Sequence, residues 1–430
     1  MSSYGATHGS HLYFISLFAM DNPPYWDHHG VKHLDWPPPP DSWKDWTVGD
    51  DLTPEQEHKI RKAEELLGSP VQQSSLFAAS VNSTMRIILA DERNVIFRQV
   101  PFVADKYSHD HSIDANLVRD WRRRKLDVEI SVLRFLENTT VPVPKIIASS
   151  VCNNAGYLVL DILPGKDALK IYGLLSDSAK DNAVMSYALI ALEIFRLNVP
   201  NKIGSIGSPN ARGEDVVPRL VFTTQDSFHV VLNTLEEFVD HFIDGYVARR
   251  KASTSVDLTP ESHHGARERA LLILEQCRKT LLEVCYGLDS PFLRHPALRH
   301  EDLRAANVLL DQQTGSVTGI IDWEYHSIVP AVLAAEYPPW LSYTGPNDPR
   351  FGSDGSAYCC SPQESAYYQD MYASIVKDKD PEYYECLVKG KKLRDAINWL
   401  QYYQPYDEEC SDTAQWMSMT FETKGDITIF

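Results

Sequence analysis

After residue 70 the chain carries short apolar runs, and beyond residue 165 it switches to long helical periodicities. Ser80 to Leu89 and Asn94 to Phe102 are apolar runs parted by the turn Asp91-Glu92-Arg93-Asn94, which reads as a β-hairpin. Leu126, Ile130, Leu133 and Leu136 recur at helical spacing, and Val141-Pro142-Val143-Pro144 ends that helix. The basic run Arg122 to Lys125 reads as the solvated face at its start. Lys145 to Ser149 and Tyr157 to Leu163 are two further strand-like runs, the second closed by Pro164-Gly165. Residues 74–163 thus alternate strand, strand, helix, strand, strand. Three helical periodicities follow: Val184 to Phe195, Leu232 to Phe242 and Leu271 to Val284. The pattern predicts an α+β protein with a small β-rich lobe and a larger, mainly helical one. It carries no internal repeat.

The residues in front of this pattern differ in kind. The Ser/Gly-rich first ten read as disordered. Asn22 to Trp46 is crowded with Pro and Trp, and Pro37 to Pro40 must be extended polyproline II, so neither helix nor sheet is expected there. Its five aromatics predict an arm that packs across the folded body. Thr53-Pro54-Glu55-Gln56 opens a helix: Thr53 is an N-cap, Pro54 takes the first helical position and Gln56 completes a capping box. The helix should run to about Leu67 and stop at Gly68-Ser69-Pro70.

Composition narrows the function. The chain has 430 residues, 41 basic and 59 acidic, for a net charge of −18. That excess of acid disfavours nucleic acid and anionic membranes, which need a basic footprint. The seven cysteines show no C-x-x-C spacing, and their odd number argues for reduced thiols. No apolar run approaches a membrane span, and the start resembles neither a signal peptide nor a mitochondrial transit peptide. A cytoplasmic protein is expected.

One stretch carries chemistry. In His300-Glu-Asp302-Leu-Arg-Ala-Ala-Asn307, Asp302 and Asn307 stand five apart; Val308 to Leu310 and Val317 to Ile321 are short strands joined by the turn Asp311 to Gly315, and the second ends on Asp322. The two strands bring their outer ends together, and with them one Asn and two Asp. Asn and Asp oxygens suit Mg²⁺, and the remaining Asp302 is placed to accept a hydroxyl proton. A metal clamp on ATP phosphates with a positioned base is what phosphoryl transfer needs.

His300-x-Asp302-Leu-x-x-x-Asn307 followed by Ile321-Asp322-Trp323 resembles the signature of the aminoglycoside phosphotransferase and choline kinase superfamily. Leu298-Arg-His-Glu-Asp-Leu303, Thr318 to Glu324, Tyr337-Pro-Pro-Trp-Leu341 and Ile203-Gly204-Ser205 resemble its large fungal branch. The resemblance covers the chain from about Ser74 to the end of the helical lobe. It implies a bilobal protein-kinase-like fold: an N-terminal extension over 1–70, an N-lobe over 71–163 and a helical C-lobe over 164–430. It further implies an ATP- and Mg²⁺-dependent kinase acting on a hydroxyl of a small molecule.

Residue by residue, the resemblance makes Asp302 the catalytic base, Asn307 and Asp322 the Mg²⁺ ligands, and His300 a structural group behind the loop. Arg98, in the place of the phosphate-binding Lys, would reach phosphate, with Glu129 as its ion-pair partner. Arg98 also fits an exposed residue on an alternating strand, and Glu129 a plain helix carboxylate. Asp161 and Leu163 would meet adenine at the hinge, and Ser83 would lie in the phosphate-covering loop. That loop, Ser80 to Met85, has no Gly, although backbone N–H groups approach phosphate most closely through Gly. The departure keeps a second reading open, a kinase-fold binding or scaffold protein with weak or absent turnover. The pairs His109/His111, His28-His29, His263-His264 and Cys359-Cys360 read as loop residues, and Asp407-Glu408-Glu409 as a candidate acidic patch for a cationic acceptor.

Overall fold

The structure, a computed structural model, describes residues 24–27, 29–34, 45–47, 52–79, 83–102, 115–208, 215–220, 230–252, 260–343, 358–402 and 410–421. They fall into two compact units. One holds the described residues of 36–112 and 146–162, the other those of 23–35, 113–145 and 163–430. The chain's first elements, β1 (Tyr25–Trp26) and β2 (Lys32–His33), form a small antiparallel hairpin that belongs to the second unit.

The first unit is one antiparallel sheet with a helix. Its elements are β3 (Asp45–Thr47), α1 (Pro54–Leu67), β4 (Val71–Ala79), β5 (Ser83–Leu89), β6 (Asn94–Pro101), β7 (Ile146–Val151) and β8 (Ala155–Asp161), in spatial order β3-β4-β5-β6-β8-β7. Helix α1 starts and stops on local chemistry. The Thr53 hydroxyl accepts from Gln56 N, the Gln56 side chain accepts from Thr53 N, and Gly68 closes the helix in the left-handed region at φ 66°. Ile60, Ala63 and Leu67 on α1 join Met85, Ile87, Leu89, Val95, Phe97, Tyr157 and Val159 in one buried core. These sheet residues alternate along their strands, so the pleat turns them all to one face. Burying each large apolar chain returns roughly 1.5–3 kcal/mol. The other face of β6 and β8 is buried too, through Arg98, Val100 and Leu158.

After β1 and β2, the second unit resumes at α2 (Ala115–Leu136) and continues through β9 (Lys166–Asp167), α3 (Ala168–Ile171), α4 (Asp177–Phe195), β10 (Ser205–Ile206), β11 (Val216–Val217), α5 (Leu235–Ala252) and α6 (Pro260–Gly287). Then come β12 (Pro296–His300), β13 (Val308–Leu310), β14 (Val317–Ile320), β15 (His326–Pro330), α7 (Ala331–Ala334), α8 (Pro362–Lys379), α9 (Pro381–Lys389), α10 (Lys391–Tyr402) and α11 (Ser411–Phe421). Helix α4 packs on α8, and α5 on α6. The Tyr337-Pro-Pro-Trp segment is a packing device: the Trp340 ring meets Tyr172 and Tyr187 edge-on at 4.9 and 5.7 Å. No helix among the described residues is long and apolar enough to cross a membrane.

Three sequence expectations need correction. The stretch from Asn22 to Trp46, expected to hold neither helix nor sheet, carries β1, β2 and β3. The Asp27 carboxylate accepts from His29 N and Val31 N and so folds the β1–β2 turn, and Trp26 pairs with Tyr358. Strand β4 was not foreseen, because Gln72-Gln73-Ser74-Ser75 breaks the alternation; its place between β3 and β5 supplies the hydrogen bonds. Helix α2 begins at Ala115, so Arg122 to Lys125 lies well inside it, and Arg122 and Lys125 are buried rather than solvated. Helix α1 groups with the sheet unit and α2 with the helical unit. Pro37 to Pro40 lies outside the described residues.

Candidate active site

Four elements of the second unit build the candidate site. Strand β12 pairs with β15, His300 opposite His326, and the pairing continues as Glu301 N donates to Tyr325 O at 2.9 Å. The chain then turns through a 3-10 helix, Ala305–Asn307, into the β13–β14 hairpin. The hairpin turn is tight: Asp311 Oδ1 accepts from Gln313 N and Thr314 N, and Gly315 sits at φ 74° so near Ala179 O that a Cβ would stand 1.9 Å from it. At the open end, Ile321 N donates to Asn307 O at 3.0 Å. That bond sets Asn307 beside the residue preceding Asp322, and Asp322 itself turns left-handed at φ 68°. A non-Gly residue in that region is strained and is held there by its surroundings.

Asp302, Asn307 and Asp322 are thus brought to one end of one hairpin. Asn307 donates through Nδ2 to Asp302 O at 2.7 Å and to Asp302 Oδ2 at 3.3 Å. Arg304 Nε stands 3.3 Å from the same carboxylate. Burial pushes the Asp302 carboxyl up from its ordinary value; Arg304 and the Asn307 bond pull the other way, and Glu324 adds to the rise. His300 lies behind the loop. Its Nδ1 accepts from Asp302 N at 3.2 Å, its Nε2 donates to Ile321 O at 3.0 Å, and its ring meets Trp323 edge-on at 4.7 Å. Burial lowers its pKa, so the neutral ring is the form this pattern uses. His326 is a second buried ring, pushed down to about 4 by burial; it donates from Nδ1 to Trp323 O and accepts at Nε2 from Ile206 N.

Two groups were not assigned to the site from sequence. The first is Glu301. Burial alone would raise its carboxyl, but Arg219 Nη2 at 3.0 Å and Arg299 Nη1 at 3.6 Å hold it down to about 2, with the Ser327 hydroxyl also donating. This network fixes the backbone next to Asp302. The second is Lys125, which forms an ion pair with Glu324. The only sequence signal was Glu301's place inside His-Glu-Asp, since the partners lie far away in the chain. The Ile203-Gly204-Ser205 motif supports the same strand: Gly204 pairs with Ile328, and Ser205 Oγ donates to His326 O at 2.9 Å. A Cβ at Gly204 would stand 2.4 Å from Val217 O, so only Gly fits.

The other expected residues are placed as follows. Glu129 is buried on α2. Leu163 packs beside Gly319 of β14, where a Cβ would stand 2.5 Å from Leu163 Cδ1. Arg98, Asp161 and Ser83 belong to the sheet unit. Arg98 is buried on β6 opposite Leu158, not exposed. Asp161 ends β8 opposite Val95, and Ser83 begins β5 opposite Gln99. Among the described residues no three His, Cys, Asp or Glu gather as a metal site; the donors here are two carboxylates and an amide. All seven cysteines are thiols, and burial pushes Cys359 up to about 12. Residues Ser80 to Asn82, His28, His109, His111 and Asp407 to Glu409 lie outside the described residues, as do the side chains of His263 and His264.

Known proteins bear on this geometry. Residues 82–332, more than half of the chain, match the model of the phosphotransferase enzyme family. Clavilactone A biosynthesis cluster protein Y of Ampulloclitocybe clavipes is 35 % identical over 385 residues, which cover 88 % of this chain and 90 % of that one. Among solved structures, the aminoglycoside phosphotransferase APH(2'')-Ib with ADP bound is 13 % identical over 86 % of this chain and 99 % of that one, at a TM-score of 0.48. The streptomycin–ATP–APH(2'')-IIa complex is 12 % identical over the same shares, also at 0.48. The family match takes in the strand carrying Arg98, the loop at Asp302 and the segment just beyond Asp322, and by it this α+β chain belongs to the phosphotransferase enzyme family.

Proposed function

We propose that the protein transfers the γ-phosphoryl group of ATP, with Mg²⁺, to a hydroxyl of a small molecule. The observation that carries this reading is the convergence of Asp302, Asn307 and Asp322 at the open end of the β13–β14 hairpin. Asp302 is the base. Its carboxyl is raised by burial, which moves it toward proton acceptance, and Asn307 and Arg304 hold it in one orientation.

The donor set fits Mg²⁺. Asn307 spends its Nδ2 on Asp302, so its Oδ1 is the atom offered as a ligand. Asp322 adds a carboxylate, and both are hard oxygens. When bound there, the cation would supply positive charge to offset the charge that develops on the phosphate oxygens. Arg98 is the sheet unit's candidate phosphate group, since a guanidinium forks onto phosphate oxygens. The backbone near Asp161 and Leu163 is the candidate adenine contact, and Ser83 a further nucleotide contact. His300 keeps the loop in shape. The thiol state of the cysteines favours the cytoplasm.

A screen of hydroxyl compounds for ADP release tests the reading, with Asp302→Asn as blank. Release that needs Mg²⁺ and disappears in the variant is expected. Equal release from both proteins, or no thermal stabilisation by Mg²⁺–ATP, would end it in favour of a binding or scaffold role.

A further inference from the structure

Lys125 has no part in the chemistry above, yet its setting is unusual. It sits inside α2 with a side chain only 6 % exposed, and its ammonium lies 2.5 Å from Glu324 Oε1, itself on a side chain 9 % exposed. The ammonium also lies 4.5 Å from the ring centre of Tyr325 and 5.3 Å from that of Trp121. Burial alone would drive a lysine toward neutrality, but Glu324 and Tyr325, with Asp322 behind them, hold it charged. The Lys125 field reaches Asp302 as well, where it opposes that of Glu324.

Stability does not account for this pair. Desolvating a Lys and a Glu costs several kcal/mol, and an apolar pair of the same volume is commonly as stable or more so. Position does account for it. Glu324 stands two residues past Asp322, and its carboxylate is clamped to a helix almost two hundred residues upstream. Asp302, Asp322 and Glu324 are three carboxylates on neighbouring segments. Arg304 is half-exposed, whereas Lys125 is a buried cation whose charge acts on all three.

We infer that Lys125 is a positioning residue for phosphoryl transfer: it clamps Glu324 to α2, sets where the Asp322 carboxylate stands, and keeps Glu324 from adding its charge to the cation site. The inference rests on the phosphotransfer reading. Without Lys125, Glu324 loses the buried cation that offsets its charge beside Asp322. It then draws a divalent ion more tightly while displacing it from the working position.

The test compares parent protein, Lys125→Met, Lys125→Arg, Glu324→Gln and the double variant Lys125→Met/Glu324→Gln. Turnover is followed as ADP release to an acceptor or to water, and Mn²⁺ alone is titrated by calorimetry. Lys125→Met should lower kcat about 30-fold with the KM for ATP changed less than about threefold, because misplacement acts on the reacting geometry. It should bind Mn²⁺ at least about threefold more tightly, since one negative charge is no longer offset. Adding Glu324→Gln should return Mn²⁺ affinity to the parent value and recover kcat at least about fivefold, and Lys125→Arg should keep kcat within about fivefold, as a charge-keeping variant does. Parent-like kcat and Mn²⁺ affinity in soluble Lys125→Met would overturn the inference, as would a double variant no better than the single. If Lys125→Met does not fold, Glu324→Gln decides: a drop in kcat with weaker Mn²⁺ binding supports the clamp, and parent-like values refute it. A parent that releases no ADP under any condition refutes the phosphotransfer reading itself; the Mn²⁺ titrations still report on the clamp.

Discussion

The sheet unit and the strands around Asp302 are both well buried, but they are built on opposite terms. Around Phe97 the interior is almost wholly apolar, and the side chains cohere by shape and by exclusion of water. Around Glu301 the interior is full of charge: Arg219, Arg299, Glu301, Glu324 and Lys125 are all buried or nearly so, and each is matched by an opposite partner. The first kind of interior is indifferent to acid. The second is stable only while its protons stay where they are. The chemistry sits on the second, because a site that must orient carboxylates needs neighbours that answer charge with charge.

Substitutions break this comparison in order of size. The largest effect should come from Asp302→Asn, a loss of about 10²- to 10⁴-fold in turnover with nucleotide-dependent thermal stabilisation retained; a variant with parent turnover would remove Asp302 from the chemistry. Next come two stability losses of similar size and different character. Phe97→Ala should cost about 3–5 kcal/mol in urea unfolding. Glu301→Gln should also cost about 3–5 kcal/mol at neutral pH, because the buried Arg219 loses the carboxylate 3.0 Å from it.

Acid then separates the two. Glu301 is held down to about 2 from the ordinary 4.5, so its contribution is complete above pH 4.5 and drains away as pH falls toward 2. The Glu301→Gln penalty should therefore shrink below pH 4.5, while the Phe97→Ala penalty stays level. Equal behaviour of the two would show that the charge network contributes nothing specific. His326 adds an earlier step. Its ring is pushed down to about 4 from 6.5, so its contribution is present above pH 6.5 and is lost as pH falls through about 4. His326→Asn should flatten the melting temperature against pH between those limits. The smallest effect belongs to Thr53→Ala, about 1 kcal/mol from the lost cap of α1, with turnover unchanged.

How much was legible in the sequence follows from the range of each interaction. Helix α1 was legible to the residue, because its cap, its Pro and its closing Gly act within four positions. The β5–β6 and β13–β14 hairpins were legible for the same reason, and so was the meeting of Asn307 with the end of β14. Strand β4 was not, since its polar middle is held by neighbours on both sides and leaves no alternation to read. Lys125 was read as solvated because its counter-charge is Glu324, at the far end of the family match. Glu301 hid in the same way: its partner Arg219 lies 82 positions away. Charge on a helix is ambiguous until its distant partner is known.

The segment just after the sheet unit carries a last consequence. Leu163 packs beside Gly319, the Thr318 hydroxyl donates to Pro164 O, and Gly165 at φ 99° leaves no room for a Cβ between Thr318 and Leu310. Lys166 and Asp167 pair with Leu310 and Leu309, and Asp167 then caps α3. Five consecutive residues are thus riveted to the hairpin that presents Asn307 and Asp322. Connections between elements ordinarily absorb insertions. Here one added residue would turn β9 over and carry every rivet out of register. The length of this connection is as much a part of the site as any side chain that lines it.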